Sequence, residues 1–270
     1  MIPENRSPRP GTQSLRRAAL LLRELSTRQS GSWTLTELAT QCGLDRTTTH
    51  RMLEALTREG LVSRPEGTRS YLLGPVVFEL GLAAARRFDP RVACATQLRR
   101  LRDRTGDTVF LNLRSGLDSV CIERLDGDAA PKALLVDVGA RRSMVATAGG
   151  VAMIMALSPV ERRRVTRACL GALRRADASH REGIARMLQR SEAAGYGLNC
   201  DDITPGISAI GVPILDERGT PFAAISVAAA TKRLDERRRG KILDLIVPEA
   251  AKLHGRLAAS LGGSAPAEAV

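Results

Sequence analysis

The sequence predicts an α+β protein that consists of two domains. Its 270 residues favour two domains over one. Three segments with helical periodicity and a two-strand hairpin come first along the chain, and helices alternate with strands over the rest. Hydrophobic residues make up 43% of the chain and charged residues 26%, a balance that excludes wholesale disorder.

The N-terminal region has clear signals for helix boundaries. Residues 1–12 contain three prolines and no periodicity, so we expect a flexible arm there, followed by a first helix. Thr34 and Glu37 have the spacing of a capping box, which predicts the start of a second helix. Gly43 is expected to end that helix, and Asp45 is the expected N-cap of a third.

The third helix is predicted to bury one face and expose the other. The residues predicted for the buried face are Thr49, Met52, Leu53 and Leu56. The polar side chains that this helix offers to a partner are Arg46, Thr47, Thr48, His50 and Arg51. Two extended segments follow at 61–64 and 70–73, and the turn between them carries Arg69.

Three helices followed by a hairpin are typical of a winged helix-turn-helix. In that fold the third helix enters the major groove of DNA, where Arg46 and Arg51 can reach phosphates or guanine edges. Arg69 could enter the minor groove. Three consecutive threonines, Thr47–Thr49, are mediocre helix formers, so a role in stability alone does not explain them. A three-helix bundle with a solvated polar face, or a winged helix that binds only protein, would show a similar pattern, and His50 could simply lie at the surface.

The remainder of the chain reads as mixed helix and strand. A helix predicted at 76–87 follows the break at Gly74-Pro75. The predicted strands after it are 108–114, 119–125, 133–138, 196–203, 207–215 and 222–229, and the helices include 91–105, 148–157, 178–194 and 235–261. The predicted organisation is an arm at 1–12, a DNA-binding domain at 13–74, a linker helix at 75–90, a second domain at 91–261 and a flexible tail at 262–270.

Several segments, in this order and spacing, resemble the IclR family of transcriptional regulators. The stretch 35–61, with the second and third helices, carries the resemblance in the N-terminal part. The stretches 107–111, 146–150 and 212–227 continue it, so that it covers nearly the whole chain. The resemblance implies a winged helix-turn-helix, a linker helix and a C-terminal effector-binding domain of GAF-like α/β fold.

The resemblance also implies how the protein assembles and binds DNA. It implies homodimers joined through the DNA-binding half, which can pair into dimers of dimers. Members of the family usually contact DNA at the positions that Arg46, Thr47, Thr48, His50 and Arg51 match here. We expect the linker side chains Val77, Leu80 and Ala84 to be buried against a partner copy, and the DNA to be a double-stranded operator with two-fold symmetry.

A small-molecule effector site is implied for the second domain. The positions that match it are Leu134, Arg142, Ala148, Gly149, Asn199, Ile207, Ala209, Ser226 and Ala228. Ala148 and Gly149 begin a helix whose free N–H groups could hold a carboxylate, although the glycines could instead serve only close packing. Arg142 could pair with that carboxylate or lie at the surface.

Three positions depart from the better-known family pattern. Val151 stands where many relatives have a lysine, Asn199 where they have an acidic residue, and Ala209 where they have a cysteine or another polar residue. A site with fewer charges and smaller walls favours a bulkier or more apolar acid than the small keto acids of the family. The sequence therefore predicts an organic acid effector without identifying it.

Other classes of function have little support. No G-x-S-x-G, P-loop or G-x-G-x-x-G motif and no metal-ligand spacing occurs, and Asp201 and Asp202 would point to opposite faces of a strand. The five cysteines are scattered, which favours reduced thiols over disulfides. We expect no enzyme, no cofactor, no metal site, no membrane partner and a cytoplasmic location.

The net charge of +12 is weak evidence for nucleic-acid binding. Only four of the 41 basic residues are lysines, so the excess is an excess of arginine. Residues 1–88 carry a net charge of +5 and residues 89–270 carry +7. The larger share lies outside the predicted DNA-binding domain, so the placement of particular arginines supports DNA binding better than the total charge.

Overall fold

A computed structural model describes residues 12–27, 32–86, 89–130, 136–173, 178–255 and 257. The chain forms two compact units, Met1–Arg86 and Arg87–Val270. The predicted tail, most of the predicted arm and the candidate residue Leu134 lie outside the described residues. Among the described residues, no helix combines the length and the apolar composition that crossing a bilayer requires.

The first unit is a three-helix arrangement with a small sheet and a fourth helix. Its elements are α1 (Thr12–Leu25), β1 (Trp33–Thr34), α2 (Leu35–Cys42), α3 (Arg46–Arg58), β2 (Val62–Ser63), β3 (Ser70–Leu73) and α4 (Pro75–Ala85). The antiparallel sheet has the order β1-β3-β2. We did not predict β1, because two residues are too short to show an alternating pattern and the strand exists only through its pairing with β3.

One hydrophobic cluster joins the helices and the sheet of the first unit. Leu21 of α1, Leu38 of α2 and Leu53 of α3 are completely buried, and Trp33 and Tyr71 of the sheet pack with them. Burying each of these leucines contributes about 1.5–3 kcal/mol. The cluster therefore holds α3 rigidly against the rest of the unit, as the pattern of apolar residues predicts.

The second unit contains a six-stranded antiparallel sheet with helices on both faces. Its strands are β4 (Thr108–Ser115), β5 (Asp118–Leu125), β6 (Arg141–Ser143), β7 (Gly197–Cys200), β8 (Ile207–Leu215) and β9 (Pro221–Ala230), in the order β6-β5-β4-β9-β8-β7. Its helices are α5 (Pro90–Thr105), α6 (Ala148–Met155), α7 (Pro159–Ala172), α8 (Ala178–Ala194) and α9 (Glu236–Ala251).

Side chains that alternate between the two faces of the sheet form two separate hydrophobic cores, one on each face. Val109 and Leu111 of β4 pack in one cluster with side chains of α5 and α9. Phe110, between them, belongs to a different cluster that includes Ala148 at the start of α6. Because successive side chains of a strand point to opposite faces, α5 and α9 cover one face of the sheet and α6 covers the other.

Two predicted elements of the second unit are wrong in extent or position. The strand predicted at 133–138 is not a strand over 136–138, and the edge strand is Arg141–Ser143 instead. The segment Arg141–Ser143 is a strand because it pairs with β5. Its sequence does not predict a strand, since it has only three residues and two of them are arginines. The helix predicted at 235–261 is continuous only over Glu236–Ala251; turns follow at 252–255, where Gly255 takes a left-handed conformation, and Leu257 is helical again.

Candidate functional site

The turn between α2 and α3 holds the third helix in a defined orientation. The predicted capping box is present at the start of α2, where Thr34 N donates to Glu37 Oε2 at 2.8 Å and Glu37 N donates to Thr34 Oγ1 at 3.3 Å. Gly43 ends α2 in the left-handed conformation. Thr48 N donates to Asp45 Oδ1 at 2.7 Å. Hydrogen bonding from the Thr48 side chain, and after it from the Thr48 backbone N–H, lowers the pKa of Asp45.

The exposed face of α3 presents two arginines that have no partner among the described residues. Arg46, Thr47 and Arg51 are exposed, and Thr48 and His50 are half-buried. In the described part of the chain, the side chains of Arg46 and Arg51 form no ion pair and no hydrogen bond. These guanidinium groups are therefore available to phosphate or to base edges, which they recognise through two parallel hydrogen bonds.

The other polar side chains of α3 are partly engaged within the helix. The Nδ1 atom of His50 lies 3.7 Å from Glu54 Oε2, one turn along the helix. Thr49 is completely buried, and its hydroxyl donates to the carbonyl of Asp45 at 2.9 Å. The argument that stability alone does not explain the three threonines therefore fails for Thr49, which is buried as the helical pattern predicts, and it remains a prediction for Thr47 and Thr48.

The hairpin of β2 and β3 carries two arginines with different surroundings. Arg64 lies over the ring of Tyr71, 5.7 Å from its centroid, and donates to the carbonyl of Thr68 at 3.2 Å. Arg69 at the tip is exposed, and none of the described residues binds its side chain. Arg64 therefore stabilises the hairpin, whereas Arg69 is free to contact a partner.

Thr34, the N-cap of α2, lies opposite Ser70 and links the helix-turn-helix to this hairpin.

Helix α4 buries none of its side chains within the chain. Phe78 is 69% exposed, Leu80 59% and Leu82 55%, and the predicted interface residues Val77 and Ala84 are at most half-buried. A contiguous apolar surface of this kind is typical of an interaction site.

The start of α6 lies directly on the sheet. A Cβ atom on Gly197 or Gly211 would overlap the carbonyl oxygen of Ala148, and one on Gly149 would lie 2.8 Å from Asn112 Nδ2. These glycines therefore permit close helix–sheet packing, the alternative interpretation that the sequence left open. Thr147 caps the helix by accepting a hydrogen bond from Gly150 N at 3.0 Å.

Most candidate effector residues lie on the sheet face that α6 covers. Ala148, Ile207, Ala209 and Ala228 pack in a single cluster, which also contains Phe110, Cys121 and Ala140. Ser226 lies directly opposite Phe110 in the pairing of β4 with β9, so it shares their face. The structure thus brings together candidate residues that are as far apart in the sequence as Ala148 and Ala228.

Asn199 lies on the same face, but its side chain is used within the protein. Its Oδ1 accepts a hydrogen bond from Asp202 N at 2.9 Å, and its Nδ2 donates to Ile207 O at 3.4 Å. These bonds tie together the two ends of the loop that joins β7 to β8. Asn199 therefore shapes the site by holding this loop, and both ends of its amide are already occupied.

Asp201 and Asp202 lie in that loop and not on a strand as predicted. The side chain of Asp202 is buried between Arg186 and Arg190 of α8, at 3.2 and 2.5 Å. Asp201 is exposed, has a positive φ of 63°, and accepts a hydrogen bond from Gly206 N. The two carboxylates have separate structural partners and do not form a pair.

Arg142 is half-buried and does not lie free at the surface. It stands opposite Ser119 in the pairing of β5 with β6. Among the described residues, no group forms an ion pair or hydrogen bond with its side chain. Burial, the only cause present, lowers its pKa. Its neighbour Arg141, in contrast, pairs with Asp118 at 3.1 Å.

Two polar residues of this face were missed in the sequence. Asn112 is 6% exposed and Ser119 is 2% exposed, and neither side chain has a hydrogen-bond partner in the described ranges. The sequence did contain a signal for each: Asn112 is a polar residue within the apolar segment 109–113, and Ser119 is a polar residue directly before Val120 in the next strand. In the same ranges, no three His, Cys, Asp or Glu side chains converge in a way that could hold a metal ion.

Comparison with known proteins matches both units. The family described as the IclR helix-turn-helix domain matches residues 14–66, and the family described as bacterial transcriptional regulator IclR C-terminal matches residues 83–254. The transcriptional regulator BhcR of Paracoccus denitrificans is 28% identical over 225 residues, which cover 83% of this chain and 80% of that protein.

Solved structures show the same fold. An IclR transcriptional regulator from Alicyclobacillus acidocaldarius is 26% identical with a TM-score of 0.68, and the match covers 89% of this chain and 97% of that chain. An IclR homolog from Microbacterium hydrocarbonoxydans is 20% identical with a TM-score of 0.62, and the match covers 93% of this chain and 100% of that chain. The C-terminal family alone spans well over half of the sequence. The chain therefore belongs to the IclR family of DNA-binding transcriptional regulators, and like these relatives it is a regulator and not an enzyme.

Proposed function

We propose that the protein reads an operator of two-fold symmetry with α3 and the hairpin tip, and changes its DNA binding when a small organic acid occupies the second unit. The observation that carries the DNA-reading role is the exposed face of α3, where Arg46 and Arg51 have no partner within the described residues. The buried face of the same helix fixes its orientation through Leu53. A rigid helix with free guanidinium groups is the element that major-groove recognition requires.

The symmetry of the operator follows from self-association. The apolar surface of α4, with Phe78, Leu80 and Leu82 largely exposed, is proposed as the surface that a second copy covers. An interface made by the same surface on both copies has two-fold symmetry, and it presents two copies of α3 to two half-sites. Pairing of such dimers into tetramers is part of the same proposal, as is a cytoplasmic location where the operator DNA lies.

The effector role rests on the sheet face beneath α6. Small side chains form much of this face, and Arg142 supplies a half-buried cation that none of the described residues neutralises. A buried charge is costly unless it is paired, so the structure favours an anionic ligand at this point. The homolog from Microbacterium hydrocarbonoxydans is complexed with 4-hydroxybenzoate, a monocarboxylic acid of the size that we propose.

Coupling between the two roles requires two arrangements of the assembly. A ligand shifts the balance between them only if it binds one arrangement more tightly than the other. We propose that the linker helix α4 carries the coupling, because it joins the two units in the chain and carries the surface proposed for dimerisation.

The DNA-reading proposal is tested by selecting DNA from a random pool with the full-length protein and measuring binding to the selected fragment. Arg46→Ala and Arg51→Ala should each weaken binding by about 1–3 kcal/mol. Arg163→Ala on α7 removes the same charge from an exposed site in the second unit and should leave binding nearly unchanged. Selected DNA without an inverted repeat, or equal binding by all variants, would contradict the proposal and favour a winged helix that binds protein.

A further inference from the structure

Four polar side chains form a diagonal row across the sheet face beneath α6. Arg142 on β6 lies opposite Ser119 on β5. Asn112 on β4 is a diagonal neighbour of Ser119, because Ser119 lies opposite Arg114, two residues along β4 from Asn112. Ser226 on β9 is in turn a diagonal neighbour of Asn112, because Asn112 lies opposite Ala224, two residues along β9 from Ser226. Each step therefore joins direct neighbours, whose Cβ atoms lie about 5 Å apart, or diagonal neighbours, which lie about 7–8 Å apart with a somewhat shorter distance between their Cβ atoms. We refer to Arg142, Ser119, Asn112 and Ser226 as the polar diagonal.

None of these side chains has a hydrogen-bond or ion-pair partner among the described residues, and the three neutral ones are at most 6% exposed. The Oγ atom of Ser119 is fully shielded and unbonded. Buried polar groups in native proteins almost always have partners, and leaving one without costs free energy. Three buried polar residues and a half-buried arginine, all without partners in the described ranges, lie in this one row, and folding alone does not explain them.

Another buried serine of the same sheet, in contrast to Ser119, has a hydrogen-bonded hydroxyl. Ser208 of β8 is as buried as Ser119, but it points to the opposite face of the sheet from Ala209 and its hydroxyl lies 3.0 Å from Thr231 Oγ1. Arg141, next to Arg142, is paired with Asp118. Single buried polar atoms without a partner among the described residues also occur elsewhere in this unit, for example in Gln97, Ser143 and Arg239. The polar diagonal differs because four side chains without partners in the described ranges lie next to one another on the face of the candidate effector site.

We infer that the polar diagonal is the specificity-determining part of the effector site, and that it selects a monocarboxylic acid with a neutral hydroxyl or carbonyl group at its other end. Arg142 and Ser119 hold the carboxylate, because a guanidinium and a hydroxyl both donate to it. Asn112 and Ser226 bind the neutral group, since an amide and a hydroxyl each offer a donor and an acceptor. This inference rests on the proposed effector function and adds the ligand class and two residues, Asn112 and Ser119.

The spacing sets the size of the ligand. Ser119 and Asn112 are diagonal neighbours on adjacent strands, and residues in such positions lie about 7–8 Å apart. One aromatic ring or a short carbon chain between the carboxylate and the neutral group spans such a distance. Phe110, Cys121 and Ala140 of the apolar cluster lie on the same face and can contact that part of the ligand.

The first test needs no ligand. Ser119→Ala should leave the melting temperature of the full-length protein unchanged or raise it by up to about 4 °C, because it removes a buried hydroxyl that is not bonded. The matched control Ser208→Ala should lower the melting temperature, since it breaks the bond to Thr231. A clear loss of stability in Ser119→Ala would show that its hydroxyl serves folding, and would overturn the inference.

The second test uses two matched pairs of acids, 4-hydroxybenzoate with benzoate and 4-oxopentanoate with pentanoate, titrated into the full-length protein by calorimetry. We expect the polar member of at least one pair to bind about tenfold or more tightly than its apolar partner. Ser119→Ala, Asn112→Leu and Arg142→Met should remove about tenfold or more of that affinity, whereas Ser208→Ala should keep it.

The outcomes separate this inference from the effector proposal. If wild-type protein binds the apolar acids as tightly as the polar ones, or if Ser119→Ala and Asn112→Leu bind like wild type, the polar diagonal does not select the ligand. The effector proposal would then survive without it. If the wild-type protein binds none of the four acids at millimolar concentration, both the effector proposal for this class of acid and the inference are contradicted.

Discussion

The carboxylate of Asp107 forms a buried ion pair with Arg238 of α9, with 2.7 Å between Oδ2 and Nη2. Arg233 donates to the other carboxylate oxygen at 3.1 Å, and the side chain of Asp107 is completely buried. The same Nη2 atom of Arg238 also donates to the carbonyl of Thr105 at 2.8 Å, at the end of α5. Asp107 therefore joins α5, β4 and α9 at one end of the sheet.

We expect Asp107→Ala to lower the free energy of unfolding of the second unit by about 3 kcal/mol, since it leaves two guanidinium groups unpaired. This loss is at the low end of the cost of removing one partner from a buried ion pair, because the side chains of Arg233 and Arg238 are 36% and 32% exposed and water can solvate them. Asp103→Ala removes a more exposed partner of Arg102 and should cost less than about 1 kcal/mol. Urea denaturation of the full chain measures both, and equal costs would contradict the structural role of Asp107.

The two arginines of the hairpin should respond differently to substitution. Arg69→Ala should weaken DNA binding and reduce the slope of log affinity against log salt by about 1, with no change in stability, because its side chain is exposed and free of described partners. Arg64→Ala should lower stability, because Arg64 contacts Tyr71 and Thr68 within the hairpin. Fluorescence anisotropy over a salt series and thermal melts separate the two effects. An unchanged salt slope in Arg69→Ala would exclude a phosphate contact at the tip.

Substitution of Leu80 should shift the protein towards monomers. The side chain is 59% exposed in the single chain, and burying a leucine contributes about 1.5–3 kcal/mol in each copy. Leu80→Asp should therefore weaken self-association by about 100-fold or more, measured by sedimentation at micromolar concentration. Glu79→Gln, an exposed neighbour on the same helix, is the control. A dimer that is unaffected by Leu80→Asp would exclude α4 as the interface.

Stability should fall in strongly alkaline solution because of buried thiols. Burial raises the pKa of Cys42, Cys94 and Cys121 from 9.0 to about 12, with a further contribution from Glu24 at Cys42. An unfolded chain would ionise these thiols near pH 9 while the folded chain keeps them protonated, so their contribution to stability is full below pH 9 and is lost between about pH 9 and pH 12.

Thiol ionisation can be isolated experimentally. Cys94→Ala and Cys121→Ala should each flatten the decline of the free energy of unfolding over that pH range, as measured by chemical denaturation at successive pH values. In the native protein at pH 8, these two thiols should also react with an aromatic disulfide reagent only when the protein unfolds. Rapid labelling of Cys94 or Cys121 in the native state would contradict their burial.

Much of the first unit was predictable because its signals are local. A capping box at Thr34, a left-handed glycine at Gly43 and an N-cap at Asp45 are each decided by residues within four positions of one another. The exposed arginines of α3 followed from helical periodicity once these boundaries were known. Strand β1 was missed, because its two residues depend on a pairing with β3 that is distant in sequence.

The candidate effector site was predictable only in part. Family resemblance indicated Arg142 and Ser226, whereas Asn112 and Ser119 carry no motif and no periodicity that marks them as ligand contacts. Their importance depends on the register of β4 with β5 and β9 and on the absence of partners among the described residues. Register is a property of the assembled sheet, because a shift of one residue would move each side chain to the other face.

Sequence patterns alone were enough to predict the order of most elements, the boundaries of α2 and α3, and the face that α3 exposes. These features depend on short-range hydrogen bonds and on the repeat of the helix, which adjacent residues specify. It was the folded sheet and its loops that showed Arg142 to be half-buried beside Ser119 and the amide of Asn199 to be hydrogen-bonded within its own loop. Burial and partnership depend on chain segments that meet only after folding, so no local pattern can report them.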